Sequence, residues 1–364
     1  MKNTYGNSVS ITIFGERHGS AIGAVLDGLA PGIEVNEDFI KAKLSLRRPS
    51  GNISTARREA DEFIIHSGVH NGKTTGTPIC ILIPNSDTKS RDYSVNENKA
   101  RPGHADYTAF MKYHGFEDTR GGGHFSGRIT AALVAAGAIC YYALLKKGIK
   151  IGTHIKAIGG IEDRAFGDLL ADLDNLQEKP FAALCDEAGE KMLEKIEEAR
   201  SQKDSVGGIL ETAILGVPAG VGEPWFDSVE SRLSHALFSI PAIKGVEFGA
   251  GFGFADMFGS EANDRYYNDN AQIKTETNNN GGILGGITSG MPITFKCAVK
   301  PTPSIGQAQK TVNYKTGEET EIEVVGRHDP CIVHRARAVV DSIAAITLCD
   351  MLSERFSTDW LGEK

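Results

Sequence analysis

Mixed α and β, with Ala-rich helices buried under sheets, is the fold class this sequence predicts. Three observations carry it. Residues 129–146 (ITAALVAAGAICYYALLK) are apolar on nearly every side, and residues 338–353 repeat that character. A helix without a polar face belongs inside a core. Short runs that alternate, or are continuously apolar, recur along the chain and read as strands. Glycine is the compositional outlier: 42 of 364 residues, in short polar clusters without a collagen period. Such clusters suit tight turns and loops where backbone approaches a ligand.

Taken in order, residues 8–14 (SVSITIF) alternate like a strand and run into Gly15-Glu16-Arg17-His18-Gly19. A second apolar run follows at 21–26. The pattern from Asn36 to Leu46 predicts a helix with Asn36 as its N-cap, ended by the polar loop from Arg47 to Ser54. Glu62–Val69 and Pro78–Ile83 read as strands joined by a Gly-rich turn. Residues 84–126 show little periodicity, and unstructured stretches of that length tend to be functional. Residues 186–203 predict an amphipathic helix with Met192, Leu193, Ile196 and Ala199 on one face. Strand-like runs return at 209–217, 244–254 and 292–299. The polar stretch 259–282 reads as an active-site lid or a plain loop. A Gly/Arg/His loop feeds an Ala-rich helix twice, so the chain is either two related halves or a chance repeat of two buried helices.

Forty per cent hydrophobic and 24% charged residues describe a globular protein with a core. At roughly 150 residues per domain the length suggests two domains and allows one large one; residues 1–364 are read as one domain built from two related halves. Net charge is −8 and no basic stripe is interleaved with aromatics, which argues against a nucleic-acid partner. Arginines nevertheless cluster, at 47–48, 57–58, 101, 120, 128, 327, 335 and 337, as anion binding requires. The six cysteines form no CxxC pair and most lie in apolar runs, so they read as free buried thiols in a reducing compartment. The first residues lack the apolar core of a signal peptide. No stretch reaches the ~20 apolar residues of a membrane span. Both point to a cytoplasmic protein without a membrane partner.

The residues suited to chemistry are histidines set in rigid turns beside arginines. His18 follows a strand, His104 follows Arg-Pro-Gly, and His328-Asp329 sit in Gly-Arg-His-Asp-Pro-Cys before a buried helix. An imidazole titrates near ~6.5 and exchanges protons at neutral pH. A neighbouring guanidinium grips carboxylate or phosphate bidentately. Proton donors beside anion clamps are what phosphate elimination needs. A metal-dependent phosphatase is the rival, with the HxD pair His104 and Asp106 and with His18 and His124 completing a site. The arginine excess favours direct anion binding over a metal. A purely structural role sits badly with loops so rich in His and Arg.

The motifs GERHG (15–19), RRP (47–49), TTGTP (74–78), RPGHADY (101–107), GGILGG (281–286), KPT (300–302) and RHDPC (327–331) resemble chorismate synthase, in that family's order and over essentially the whole chain. The resemblance implies a β-α-β sandwich, a homotetramer, and conversion of 5-enolpyruvylshikimate 3-phosphate to chorismate with reduced FMN. It implies catalytic roles for His18, which would protonate the leaving phosphate, for His104, which would hold the reduced flavin in its protonation state, and for Asp329, which would assist proton removal at the flavin. Arg47, Arg48, Arg128 and Arg327 would bind the substrate. His124, Phe125, Ser126, Pro241, Ala242, Gly285, Lys300, Pro301, Thr302, Pro303, Ser304 and Arg327 would bind FMN. No GxGxxG fingerprint is present, so reduction of the flavin is expected from outside, with NADPH as an indirect reductant.

The sequence departs from the family pattern in two turns above all, and also at Pro303, where a serine is common, and at Ile53, where some members carry an arginine. Arg17 stands where the first motif carries serine, a long cation beside His18 that would tend to lower that histidine's pKa and could also help bind phosphate. In Gly-Gly-Gly-His-Phe-Ser-Gly-Arg-Ile, His124 stands for an arginine, Phe125 for a serine and Ile129 for a glutamate, while Ser126 and Arg128 remain. A second reading follows: a flavin- or anion-binding paralogue with weakened turnover.

Overall fold

Alternation in the N-terminal segment becomes an antiparallel sheet built against an apolar helix. The computed structural model describes residues 2–49, 53–54, 61–85, 98–324 and 329–362. The first half contains β1 (Thr4–Tyr5), β2 (Ser10–Gly15), β3 (Ala21–Asp27), α1 (Glu37–Arg47), β4 (Ile64–Ile65), the hairpin β5 (Val69–His70) and β6 (Lys73–Thr74), β7 (Ile79–Pro84), α2 (Asp106–Tyr113) and α3 (Thr130–Lys146). The second half contains β8 (Lys150–Ile158), β9 (Ile161–Glu162), α4 (Leu169–Glu178), α5 (Asp186–Ser201), β10 (Gly208–Leu215), α6 (Val229–Leu237), β11 (Ile243–Phe248) and α7 (Gly259–Ala262). There follow β12 (Tyr266–Asp269), β13 (Gln272–Thr275), β14 (Ile283–Leu284), β15 (Ile287–Thr288), β16 (Ile293–Val299), β17 (Gln309–Val312), β18 (Glu319–Ile322) and α8 (Val333–Phe356).

Two five-stranded antiparallel sheets result, ordered β1-β2-β3-β7-β4 and β11-β16-β10-β8-β9. Helix α3 packs on β3 and β7 of the first sheet, α8 on β8 and β10 of the second, and the two helices pack on each other. At their crossing Gly137 lies so close to α8 that a Cβ there would come 2.4 Å from Ser342 Cβ. Only glycine fits this approach, and it lets two Ala-rich faces meet over one contiguous core running from Val9 to Leu361. Asn36 caps α1 as expected, its side chain accepting from the Phe39 amide at 2.9 Å.

Other elements depart from expectation. Strand β8 carries Thr153 and His154 and gave no alternation, because α8 covers one face and α4 and α5 the other. Its polar groups are satisfied internally: Thr153 donates to Asp341 at 2.6 Å and shares a 2.7 Å bond with Thr212. Burial pushes the Asp341 carboxyl above its ordinary range despite nearby Lys43 and this bond. Helices α2, α4 and α6 are short and half-polar and were not anticipated. The expected 62–69 strand is two short pieces, β4 and β5. Residues 259–282 form an ordered β12–β13 hairpin. Asp264 fastens it to the Asn279 and Asn280 amides at 2.7 and 2.9 Å.

One expectation needs correction. Residues 127–146 form a 20-residue segment long and apolar enough to cross a membrane by length and composition, yet 78% of its most apolar window is buried inside the protein. All six cysteines are free, and Cys140, Cys297, Cys331 and Cys349 are buried.

Candidate active site

A cavity of about 1060 Å³ opens where the first turns of α3 and α8 approach one another. His18, His104 and Asp329 all line it, from three separated loops. So do Arg47 and Arg128, and the FMN candidates His124, Phe125, Ser126, Pro241, Ala242, Lys300, Thr302, Pro303 and Ser304. Arg48 does not line it but reaches Asp61 with its Nε at 3.6 Å. Gly285, in the β14–β15 turn, and Pro301 also lie off its walls. Arg327 falls outside the described residues. No residue of 259–282 lines the cavity, so that hairpin is not its lid.

The glycine run before α3 brings the two histidines close. Gly121, Gly122 and Gly123 all have left-handed backbone, with φ of 60°, 86° and 51°. A Cβ on Gly121 would come 2.7 Å from His18 Nε2 and 2.4 Å from Arg17 Cδ. One on Gly122 would sit 3.6 Å from the His104 ring. The turn is therefore a thin backbone partition between two imidazoles, and side chains there would push them apart.

His104 is oriented from behind. Its Nδ1 donates to Asp106 Oδ1 at 2.8 Å, and Asp106 is held by Arg101 Nη2 at 2.6 Å and Nε at 2.8 Å. Burial alone would raise the Asp106 pKa. Arg101 and His104 outweigh it and hold this carboxylate well below its ordinary range. A fixed carboxylate on Nδ1 sets the tautomer and leaves Nε2 for the opposite side.

The arginine clamp rests on a residue that the sequence reading did not single out. Asp61, with a fully buried side chain, bonds Arg47 at 2.7 Å and also pairs with Arg128. Burial works to raise its pKa, and Arg47 and Arg128 together lower it instead. Arg128 is further fixed by Asn85 Oδ1 at 3.2 Å and the Pro84 carbonyl. Next to this clamp Arg335 pairs with Asp329 and donates from Nε to the Arg47 carbonyl at 2.8 Å. The only signal for Asp61 was an aspartate beside the arginines at 57–58, which many surface segments share.

Among charged residues other than histidine, Asp329 is the one acid on the described walls, against Arg17, Arg47, Arg101, Arg128, Arg335, Lys2, Lys244 and Lys300. A polyanionic ligand fits such walls although the chain as a whole is acidic. The site also suits a flavin phosphate and heterocycle edge. Thr302 Oγ1 is buried without a hydrogen-bond partner among the described residues, and Lys300 reaches the Gly103 carbonyl at 2.5 Å beside it. Ala242, on the same wall, holds a left-handed φ of 76°. Among the described residues no group of three or more His, Cys, Asp or Glu side chains is placed to hold a metal. Asp106 instead spends both oxygens on Arg101 and His104.

The sequence profile of the chorismate synthase family matches residues 9–353. The chain is 48% identical over 351 residues to the chorismate synthase of Thermococcus gammatolerans, covering 96% of this chain and 97% of that one. It is likewise 48% identical over 347 residues to that of Pyrococcus abyssi, covering 95% and 96%. A crystal structure of chorismate synthase superposes with a TM-score of 0.75 at 30% identity, covering 96% of this chain and 93% of the other. Similarity of this extent, over nearly the whole chain, means that the chain belongs to the chorismate synthase family.

Proposed function

We propose that this chain makes chorismate from 5-enolpyruvylshikimate 3-phosphate by anti 1,4-elimination of phosphate, a carbon–oxygen lyase reaction of the shikimate pathway. The observation that carries the reading is the convergence of His18, His104 and Asp329 on one arginine-lined cavity. Reduced FMN, when bound, supplies transient electron density to the substrate and a basic nitrogen for the ring proton.

The chain's own residues do the rest. Arg47 and Arg128, with Arg48 next to Arg47 and with Arg327 from the segment before α8, grip carboxylates and phosphate; the preset geometry of the first two lowers the ordering cost of binding. His18 gives its proton to the departing phosphate oxygen, since a protonated phosphate leaves more readily. His104, backed by Asp106, offers a fixed Nε2 that keeps the flavin in its reactive protonation state. Asp329 assists removal of the ring proton. Ser126, Thr302, Ser304 and Lys300 hold the flavin through hydroxyls and an ammonium.

The reading extends to the assembly. Residues 1–364 act as one domain, a β-α-β sandwich of two related halves, supported by the single core and by one long apolar helix on each sheet. We read the protein as cytoplasmic and as a homotetramer; exposed aromatics, Trp225 at 85%, Phe226 at 88%, Phe252 at 85% and Phe258 at 78%, leave apolar surface for an interface to cover. Gly285 and Pro301, which lie off this chain's cavity, act through that assembly or through the backbone. Reduced flavin comes from outside the chain, with NADPH as indirect reductant.

The test is chorismate formation, followed by absorbance, with photoreduced FMN under anaerobic conditions. Wild-type protein turns over. His104→Ala and Asp329→Asn lose about 10²–10⁴-fold in kcat while remaining folded. Tight FMN binding without any wild-type turnover would sink the activity and leave a flavin-binding paralogue.

A further inference from the structure

The loop after β2 and the glycine turn before α3 are laced together by three reciprocal bonds. The Arg17 amide donates to the Gly123 carbonyl at 3.2 Å. His124 Nδ1 donates back to the Gly15 carbonyl at 2.8 Å. Arg17 Nη1 reaches Ser126 Oγ at 3.5 Å. Arg17, His124 and Ser126 all line the cavity. The Arg17 side chain crosses Gly121, where a Cβ would meet its Cδ at 2.4 Å, so the glycine is the channel through which the guanidinium reaches Ser126.

We propose that Arg17 is the residue that binds a phosphate monoester at the Ser126 end of the cavity, and that His124 is its positioning residue. The proposal deepens the function given above and rests on it. A 3.5 Å bond to a hydroxyl lies at the outer limit of hydrogen bonding and exchanges readily for a short, charge-assisted bond to phosphate. His124 commits Nδ1 to the Gly15 carbonyl and so fixes the β2–β3 turn that carries Arg17. The permanent charge at this end comes from position 17, and position 124 supplies geometry. In the family pattern described above, serine stands at the first position and arginine at the second. In this chain the first position carries arginine and the second histidine, in two turns that contact each other.

The phosphate monoester can belong to the flavin or to the substrate, and the ligands distinguish them. Affinities of the full-length protein for FMN and riboflavin, by flavin fluorescence, and for shikimate 3-phosphate and shikimate, by calorimetry, are compared in wild type, Arg17→Ser, His124→Arg and the double variant. Arg17→Ser is expected to weaken the phosphorylated member of one pair by about ten- to a hundredfold, with the dephosphorylated member unchanged. The double variant is expected to regain most of the loss, which a merely structural arginine would not allow. Loss on FMN assigns the flavin phosphate, and loss on shikimate 3-phosphate assigns the substrate's. Equal affinities in wild type and Arg17→Ser, or equal losses within a pair, overturn the proposal while the function stands. A double variant no better than Arg17→Ser overturns the pairing with His124. Wild-type protein that binds none of the four ligands removes the function and this proposal together.

Discussion

At the start of α3, Arg128 is neutralised from behind the cavity wall; at the start of α8, Arg335 is neutralised on the wall itself. The α3 junction draws its carboxylate from Asp61, distant in sequence and with a fully buried side chain. The α8 junction uses Asp329, six residues before its own arginine and 14% exposed. Both arrangements present a fixed guanidinium. Only the second leaves a carboxylate on the cavity wall. Burial thus separates a buttress from a cavity-facing group of the same chemistry. Backbone differs too. The α3 junction needs three left-handed glycines, whereas no described residue from 329 to 335 has left-handed backbone.

The largest effect should come from removing the buttress. Asp61→Ala leaves Arg47 and Arg128 buried without their shared anion and should cost about 3–5 kcal/mol in urea unfolding. A loss under about 1 kcal/mol would erase the distinction between the two junctions. The pH dependence sharpens it. The Asp61 pKa is lowered in the folded state, so its contribution is complete above the ordinary carboxylate value and disappears only as pH falls through the lowered one. The stability gap between wild type and Asp61→Asn should be flat near neutral pH and close only in acid.

Next comes the partition between the histidines. Gly121→Ala strains a φ of 60° and drives Cβ into His18 and Arg17, costing about 1–3 kcal/mol. Turnover should fall by more than about tenfold, because displaced groups lose their alignment. Wild-type kinetics in this variant would show that the glycine turn spaces nothing.

The smallest effect lies away from both junctions. Buried His154 joins Asp163 at 3.2 Å and Glu211 at 2.8 Å on the second sheet. Burial opposes its charge, but the two carboxylates win and raise its pKa. A raised imidazole stabilises fully below its unfolded value, near ~6.5, and fades as pH rises through the folded one. His154→Gln should cost about 1 kcal/mol at pH 6 and progressively less in alkali, read from melting temperature against pH. A gap that widens with pH would reverse the assignment of charge.

Much of the site was legible before any coordinates, because turn chemistry is local. His18, His104 and Asp329 stand beside Gly, Pro and Arg in contiguous motifs, and those motifs were recognisable. Asp61 was not, since its role depends on arginines 14 residues before it and 67 after it. Arg17 was visible only as a departure; its partners Gly123 and Ser126 lie across the fold. Strand β8 escaped notice because helices cover both its faces and remove the alternation that marks a half-exposed strand.

By itself the sequence determined which helices would be buried, where glycine turns would fall and which residue types would handle protons and anions. Composition and periodicity act over a few residues and survive in a linear reading. The tertiary structure alone decided which charges neutralise one another. Ion pairing depends on distance through space and on burial, and Asp61, Arg47 and Arg128 acquire both only when the chain around α1, β7 and α3 has closed.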